Sequence, residues 1–327
     1  MSQLNVREQV IAGPLQNVSI AYRNLQFIGD RVFPIIDGSD PKAKIYKYLK
    51  GAWFRDEAGV RAPGTRARRG GYTVTPVSIA TLEYAYATEV TDEDRRFAAS
   101  RMAPPLQPDT DAIEFATDKI DLKKEIRIAA LVKASTWVDG NSGGEDAEGL
   151  WAPAGNTNTF LADIVKGKKA MKAQGILANS LLMDYATFLA VKRCDDITGQ
   201  VKYTSADSVT TAILARILEL DEVMVGMAIY SSAKETAAGT EFTAADIWEI
   251  NAGKGMGFLF YRAPRLGLKV VTAGIQARIA YENGSPRRTA TWREAAEHQD
   301  VYEVAEETDI IQVCADAGYM WADTYAT

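Results

Sequence analysis

The pattern of apolar and polar positions divides the chain into an irregular beginning and a mixed body. Over residues 1–50, short apolar clusters are separated by Gly29, Pro34, Gly38 and Pro41, and neither a helical nor a strand period is sustained. A segment of this kind buries little apolar surface by itself and becomes ordered by lying against other structure. We therefore expect residues 1–50 to form an arm.

A hairpin is the next predicted feature. Apolar and polar residues alternate over residues 82–90, which predicts a strand with one apolar face. Upstream, residues 59–71 read GVRAPGTRARRGG, a composition typical of an exposed basic loop. We expect residues 52–90 to form a long hairpin with the arginines at its tip. Thr91 and Asp94 then resemble a capping box that opens a short helix.

A long helix is predicted from Asp109 or Asp111 to about Val138, because this stretch follows three prolines and contains no glycine or proline. Its expected apolar stripe consists of Phe115, Leu122, Ile126 and Ala129. At 1.5 Å per residue the helix would extend roughly 40 Å. Its modest apolar cover indicates a spine that neighbouring subunits share.

Helices and strands mix after an acidic loop at residues 139–149, as in an α+β domain. The predicted helices are 160–173, 185–193 and 209–220, and the predicted strands are 180–183, 222–230, 246–250 and 257–261. From about residue 266 the tail is mainly strand. Its signals are the alternation of Ile275, Ala277, Ile279 and Tyr281, the turn Asn283-Gly284, and Ile310, Ile311 and Val313.

The composition narrows the classes of function. The 327 residues include 37 lysines and arginines and 43 aspartates and glutamates, a net charge of −6. This excess of negative charge argues against a protein that binds nucleic acid over its whole surface. Cys194 and Cys314 are the only cysteines, so there is neither a disulfide framework nor a CxxC zinc pair. With no signal-peptide layout and no run of eighteen apolar residues, we expect folding in a reducing cytosol and no membrane partner.

Residues suited to catalysis are scarce. His298, the single histidine, lies in the charged segment EAAEHQD, which favours a solvated residue over a general base, although pairing with either cysteine stays formally open. The stretch GKGMG at residues 253–257 departs from phosphate-binding loops, because Phe258 replaces the last glycine of GxGxxG and a predicted strand follows. We interpret it as a tight turn and expect neither an enzyme nor a bound cofactor.

Two acidic features are similar to metal or catalytic sites. The acidic loop begins at Asp139 like a calcium loop, but Gly143 and Leu150 occupy its fifth and twelfth ligand positions. Asp195 and Asp196 lie beside a predicted helix end, where capping is favoured over acid–base catalysis. We therefore expect no metal.

The arginines of the basic loop are the strongest binding candidates, namely Arg61, Arg66, Arg68 and Arg69. Guanidinium groups bind phosphate and carboxylate alike. Because no aromatic residue lies among them to stack on bases, contact with protein is favoured over nucleic acid.

Several stretches, in chain order, resemble phage major capsid proteins of the HK97-like fold. They are residues 27–75, which include WFRDEA and RAPGT; residues 86–94, YATEVTDED; and residues 163–207, DIVKGKKAMKAQ to YTSAD, followed by VMVGMAIYSSAKE at 223–235. No single motif makes the resemblance specific. It is specific because the stretches occur together and in the expected order. It implies an α+β, HK97-like capsid fold.

The resemblance also implies a division of the chain. It assigns an N-terminal arm to residues 1–50, an E-loop hairpin to 51–90, a P-domain with a long spine helix to 91–159, an A-domain to 160–265, and C-terminal strands completing both domains to 266–327. The E-loop would lie across an adjacent subunit. Its expected intersubunit contacts are Trp53, Phe54 and Arg55 at the base and Arg61, Arg66, Arg68 and Arg69 at the tip.

The implied function is assembly into hexamers and pentamers of an icosahedral shell that encloses double-stranded DNA. The implied partners are further copies of the chain, a portal, packaged DNA and, in some shells, decoration proteins. Scaffolding is expected either from a separate protein or from a segment removed before this numbering begins, and the sequence does not distinguish the two. Assembly is expected in the host cytoplasm and the final location in the virion. Some shells of this fold link subunits through an E-loop lysine. Because no lysine occurs between Gly51 and Asp118, we expect a non-covalent shell.

Three other interpretations remain. An encapsulin would share the fold but hold a protein cargo, so the contents of the shell would distinguish it. A cytosolic α+β enzyme is disfavoured by the shortage of histidine and cysteine and by the lack of an intact cofactor motif. A minor capsid or tail protein is disfavoured by the ordered resemblance from arm to A-domain.

Overall fold

A computed structural model describes residues 24, 26–38, 40–99, 106–148, 151, 158–201, 209–234, 242–250, 253–267, 269–281 and 284–325. Both helices and strands occur in these ranges, partly in separate runs, which confirms the α+β class. The helices are α1 (Gly29–Val32), α2 (Lys50–Trp53), α3 (Asp92–Ala98), α4 (Pro108–Ala134), α5 (Phe160–Ala173), α6 (Tyr185–Val191), α7 (Asp195–Val201) and α8 (Thr211–Ile217). The strands are β1 (Ile35–Gly38), β2 (Lys42–Tyr48), β3 (Val74–Ala80), β4 (Leu82–Thr91), β5 (Glu145–Asp146), β6 (Ser180–Asp184), β7 (Glu222–Gly226), β8 (Ile229–Ser231), β9 (Ala244–Asp246), β10 (Met256–Phe260), β11 (Gly274–Ile279), β12 (Arg288–Glu294), β13 (Gln299–Gln312) and β14 (Gly318–Ala322).

The helix α4 is the predicted long helix, and its 27 residues extend about 40 Å. It ends at Ala134, before the predicted end, because Ser135 adopts extended backbone with ψ of 147°. Its buried positions are Ala112, Ala116, Ile120, Glu125, Ile128, Ala129 and Val132. The predicted stripe is therefore wrong in part. Phe115 is 38% exposed, whereas the neighbouring alanine Ala116 is fully buried and lets a sheet approach the helix closely.

The central sheet has the strand order β5-β14-β10-β6-β7 and is covered on both faces. Successive residues of one strand belong to different core clusters: Leu259 of β10 packs on the side of α5, and its neighbours Phe258 and Phe260 pack on the opposite side. The strands β6 and β10 are consequently buried along their whole length. Continuous apolar runs, and not alternation, therefore mark these strands in the sequence.

The second sheet has the order β1-β11-β13-β12, and β4 pairs with β13 from the other side. One face of this sheet packs on α4, where Val304 joins Ala116 and Ile120 in a small cluster. Residues directly opposite one another in the register share a face, so Glu89 of β4, Val301 of β13 and Trp292 of β12 lie together on the other side.

The hairpin occupies a different part of the chain from the one predicted. It consists of β2 and β3, paired from Lys42↔Ala80 to Tyr48↔Val74, and not of residues 52–90. The strand β4 instead joins the sheet with β13 over ten residue pairs. The physical reason is burial: the apolar face predicted for this strand lies against α4, so Thr88 and Val90 are buried in the body.

The arm expected over residues 1–50 is also more integrated than predicted. Residues 1–23 lie outside the described residues, but Ile28, Val32 and Phe33 are buried in the core with α4 and the central sheet. The strand β1 then runs parallel to β11. The sparse apolar positions of this segment therefore pack on the body of the same chain.

Candidate intersubunit contact site

The site expected from the sequence lies on the loop that connects the two hairpin strands. Residues 49–73 form this loop, which we call the hairpin loop, and it begins with the backbone hydrogen bond from Leu49 N–H to the Thr73 carbonyl (3.1 Å). A single helical turn, α2, follows at once and positions Trp53. Beyond Phe54 the loop has no helix or strand and is exposed along most of its length.

An aromatic cluster closes the base of the hairpin loop. Trp53 packs against Tyr48 and Tyr72, with ring centroids 6.1 and 6.0 Å away, and the two tyrosine rings are 5.6 Å apart. The ammonium group of Lys269 lies 5.3 Å from the Tyr48 ring and 5.7 Å from the Trp53 ring, within cation–π range. Trp53 remains 55% exposed, so the cluster leaves part of its aromatic surface open to a partner.

Two further contacts fix the base on the body of the chain. Lys50 forms an ion pair with Asp316 (2.8 Å) and a hydrogen bond with Gln174. The Phe54 ring lies over Gly175, where a Cβ would come within 2.6 Å of its Cζ atom, so only glycine allows this approach. The opposite side of Phe54 is open, and the residue is 71% exposed.

The tip of the hairpin loop carries the four arginines identified in the sequence. A turn at residues 62–65, closed by Thr65 N–H to the Ala62 carbonyl (3.2 Å), separates Arg61 from the other three. Arg61, Arg66, Arg68 and Arg69 are all exposed, and within the described part of the chain none of them forms an ion pair or a hydrogen bond. Arg55 contacts Glu57 at 3.9 Å, a weak exposed pair.

The structure does not bring the catalytic candidates together. Cys194 and Cys314 are free and buried in the two different core clusters. His298 is exposed at the turn between β12 and β13, with φ of +52°, and its carbonyl accepts the N–H of Asp92 (3.0 Å). The formal cysteine–histidine pairing is therefore wrong.

The remaining motifs have structural explanations. Lys254 lies in a tight turn, as predicted, where its carbonyl accepts the Ile250 N–H (3.1 Å) and its ammonium group pairs with Asp323 (2.6 Å). Burial raises the pKa of Asp139 to about 6, and Leu150 lies outside the described residues. Asp195 opens α7, as expected of a residue at a helix end. In the described ranges, no group of three or more potential ligand side chains could hold a metal ion.

No helix in the described part of the chain is both long enough and apolar enough to cross a membrane.

Sequence reasoning missed Tyr48, Tyr72 and Lys269 at this site. Tyr48 and Tyr72 are 24 positions apart, and only the β2–β3 register brings them together. The segments that flank the loop read KAKIYKY and VTPVSIA, and neither alternates clearly enough to predict a pair of strands.

Several known proteins are similar to this chain in sequence or in fold. No protein-family model matches the chain. The major capsid protein of Burkholderia phage BcepMu is 25% identical over 255 residues, which cover 77% of this chain and 76% of the relative. Among solved structures, a phage-related protein of Bordetella bronchiseptica superposes with a TM-score of 0.64 at 20% identity, covering 94% of each chain.

Two other solved structures share the fold at lower identity. The capsid of cyanophage P-SCSP1u matches with a TM-score of 0.61 at 11% identity, over 98% of this chain and 93% of its own. The SrpI encapsulin of Synechococcus elongatus matches with a TM-score of 0.54 at 10% identity, over 95% of both chains. The solved structures match 94–98% of the chain and confirm that it has the HK97-like fold. The sequence match over 77% of the chain shows that it is similar to a phage major capsid protein.

Proposed function

We propose that this chain is the subunit of a phage capsid and that it assembles into hexamers and pentamers of an icosahedral shell around double-stranded DNA. The observation that carries the proposal is the 255-residue similarity to a phage major capsid protein, together with a match to a solved phage capsid that covers 98% of this chain. The role is structural. A separate scaffolding protein, a portal, decoration proteins and the packaged DNA are the partners of this proposal, and the virion, assembled in the host cytoplasm, is its location.

The hairpin loop is the contact that we assign to assembly. Within the described part of the chain the four tip arginines have no partner, and the Phe54 side chain is 71% exposed. Such side chains contribute once a neighbouring subunit desolvates them, because aromatic residues and arginine dominate the energetics of protein interfaces. In this proposal Trp53, Phe54 and Arg55 contact a neighbour at the base of the loop and the four tip arginines contact it further out.

Negative-stain electron microscopy of the purified chain, alone and with a candidate scaffolding protein, tests the proposal. Closed shells or regular rings of capsomers are expected. A uniform monomer under both conditions would refute the assembly function.

A charge reversal at the tip tests the role of the loop. The double variant Arg66→Glu/Arg68→Glu is expected to fold and to form capsomers but not closed shells. Lys123→Glu/Lys169→Glu makes the same change of charge at two other exposed positions and serves as the control. If the arginine variant forms normal shells, the tip does not take part in the contact. If the control variant also fails to form shells, the effect is a general one of charge.

An encapsulin-type compartment is the second candidate, because a solved encapsulin shares the fold. The contents of shells isolated from the natural source distinguish the two functions. Nuclease-protected genomic DNA is expected, and a packaged protein without DNA would favour the compartment.

A further inference from the structure

The strands β8 and β9 form a ribbon of two antiparallel strands. In the part of the chain that the structure describes, no third strand joins them. The ribbon is largely exposed and offers apolar surface: Tyr230 in β8 is 36% exposed, and Phe242, just before β9, is 65% exposed. A ribbon of two strands is at best marginally stable in water unless a further element packs against it. A third strand would therefore stabilise it.

The two edges of β8 face different surroundings. The N–H of Ser232 donates to the Thr243 carbonyl (2.9 Å), so the backbone groups of even-numbered residues here point toward β9. Successive residues of a strand direct their backbone groups to opposite edges. Those of Ile229 and Ser231 consequently point away from β9, and we call this side of β8 the open edge.

Asn24 fills one position of the open edge. Its Nδ2 donates to the Ile229 carbonyl (2.6 Å), and its Oδ1 accepts the Ile229 N–H (3.1 Å). These are the two bonds that a paired strand would exchange with Ile229, and a side-chain amide can make both because it carries a donor and an acceptor. At Ser231, the next position along the open edge, no hydrogen bond from a described residue reaches the backbone N–H or carbonyl.

The course of the chain leads from Asn24 along the open edge. Ile28 lies at the base of the ribbon, because its N–H and the indole N–H of Trp248, two residues after β9, donate to the same oxygen of Glu125. From Ile28 back to Asn24 the chain therefore passes from the base of the ribbon to the first residue of β8. Residue numbers fall in this direction while they rise along β8, so an extended continuation runs antiparallel to β8.

The sequence before Asn24 suits such a strand. Residues 17–22 read NVSIAY, in which Val18, Ile20 and Tyr22 alternate with small or polar residues. β-Branched and aromatic residues at every second position are typical of a strand with one apolar face. An extended segment that adds to an unpaired strand edge is also a recurring mode of recognition, in which backbone hydrogen bonds provide the affinity.

We propose that residues 17–23, which lie outside the described residues, bind along the open edge of β8 as a third, antiparallel strand of the same chain. With Asn24 opposite Ile229, the register places Tyr22 opposite Ser231. Two residues of extended chain span about 7 Å, so the segment reaches Ser231 of its own copy and no second copy is needed. The inference concerns the unassembled chain and does not depend on the capsid function.

A disulfide placed across the proposed pairing tests it in the full-length, unassembled chain. The register puts Ala21 opposite Ser232, at a spacing that a disulfide can bridge, and Ala21→Cys/Ser232→Cys is expected to form an intramolecular disulfide under mild oxidation. Ala21→Cys/Thr243→Cys is the matched control, because Thr243 lies one strand further, about 10 Å from Ala21. It is expected to form the disulfide at least about fivefold more slowly. The native Cys194 and Cys314 are buried and free.

Non-reducing denaturing electrophoresis separates the outcomes. A faster-migrating monomer band that forms preferentially in the Ser232 variant supports the proposal. Equal rates in the two variants, or no disulfide in either, would show that the segment does not lie along β8 and would overturn it. A disulfide-linked dimer would mean that a second copy supplies the strand, which overturns the assignment to the same chain.

Amide hydrogen exchange at Ser231 gives a second, independent readout. In the proposed register the Tyr22 N–H points toward β8 and the Ala21 N–H points away from it. Tyr22→Pro is therefore expected to speed exchange at Ser231 at least about tenfold, whereas Ala21→Pro is expected to leave it within about twofold of the wild type, because proline is tolerated where the N–H faces outward. Similar exchange in the two proline variants would contradict the proposed pairing.

Discussion

The buried carboxylate of Glu125 joins three parts of the chain. It lies in the middle of α4, 2% exposed, and its Oε1 accepts the N–H of Ile28 (3.1 Å) and the indole N–H of Trp248 (2.6 Å). Its Oε2 accepts the N–H of Gly29 (2.7 Å). Removing this acceptor leaves three buried donors unsatisfied, and we expect Glu125→Ala to lower the free energy of unfolding by about 4 kcal/mol.

The amide variant separates hydrogen bonding from charge. In Glu125→Gln the amide oxygen can take the place of Oε1 and keep the bonds to Ile28 and Trp248, so that only the Gly29 donor is lost. We therefore expect a smaller cost, about 1–2 kcal/mol, from one unsatisfied buried donor. Asp118→Ala, at an exposed position of the same helix, is the control and should change the free energy of unfolding by less than about 0.5 kcal/mol.

The pH dependence provides an independent check. Burial raises the pKa of Glu125 above its ordinary value of 4.5, so the folded state binds the proton more tightly than the unfolded state does. The resulting stabilisation is fully present below pH 4.5 and is lost as the pH rises through the folded-state pKa. The advantage of the wild type over Glu125→Gln should consequently shrink as the pH rises.

Urea denaturation of the unassembled chain, followed by far-UV circular dichroism and tryptophan fluorescence, measures these differences. If the free energy of unfolding of Glu125→Ala lies within about 1 kcal/mol of the wild-type value, the three donors do not depend on this carboxylate and the prediction is wrong.

Two further stability predictions use the same assay. Thr91→Ala removes the acceptor of the Asp94 N–H (3.2 Å) at the start of α3 and should cost about 1 kcal/mol, and a cost near zero would mean that water replaces the cap. Burial raises the pKa of Asp139 to about 6, so its ionised form is disfavoured in the folded state. Asp139→Asn should therefore raise the free energy of unfolding at pH 7 and lose this advantage below about pH 4. Equal stability of the two proteins at pH 7 would contradict this.

Elements whose burial follows a simple period could be predicted from the sequence. The helix α5 has the predicted bounds, and the alternation over residues 82–90 corresponds to β4. The strands β6 and β10 were detectable as short apolar runs because both faces of the central sheet are covered. The strand predicted over residues 246–250 is wrong, because the strand β9 ends at Asp246, the first residue of that segment. Trp248 instead fills the core and donates to Glu125.

The hairpin could not be predicted because its two strands bury little, and Ile79 is the one buried residue in them. The strand β2 reads KAKIYKY and has no fully buried residue, so neither a helical nor a strand period is visible. Its pairing with β3 depends on the backbone ladder and on the aromatic cluster at its end, both of which are tertiary. The exposure of the arginine tip, by contrast, follows directly from its glycines, prolines and charges. The binding role of the seven predicted contact residues stays a prediction.

The shift of the hairpin changes the basis of the prediction that the shell is non-covalent. The hairpin expected over residues 51–90 contains no lysine, whereas the observed strand β2 carries Lys42, Lys44 and Lys47. The lack of lysine is therefore a property of the loop beyond Lys50. Residues 51–73 contain no lysine, and Lys50 at the base already pairs with Asp316. The part of the hairpin that is free to reach a neighbour therefore has no amine for an amide cross-link.

Denaturing electrophoresis of assembled shells decides the matter. We expect a single band at 35.7 kDa, the same as for the chain before assembly. A ladder of multiples that survives boiling would show covalent links, and the lysines of β2 would then be the first candidates. Lys42→Arg/Lys44→Arg/Lys47→Arg preserves their charges and removes their amines. Persistence of the ladder in this variant would move the link away from the hairpin, whereas its loss would show that the strands, and not the tip, reach the neighbouring subunit.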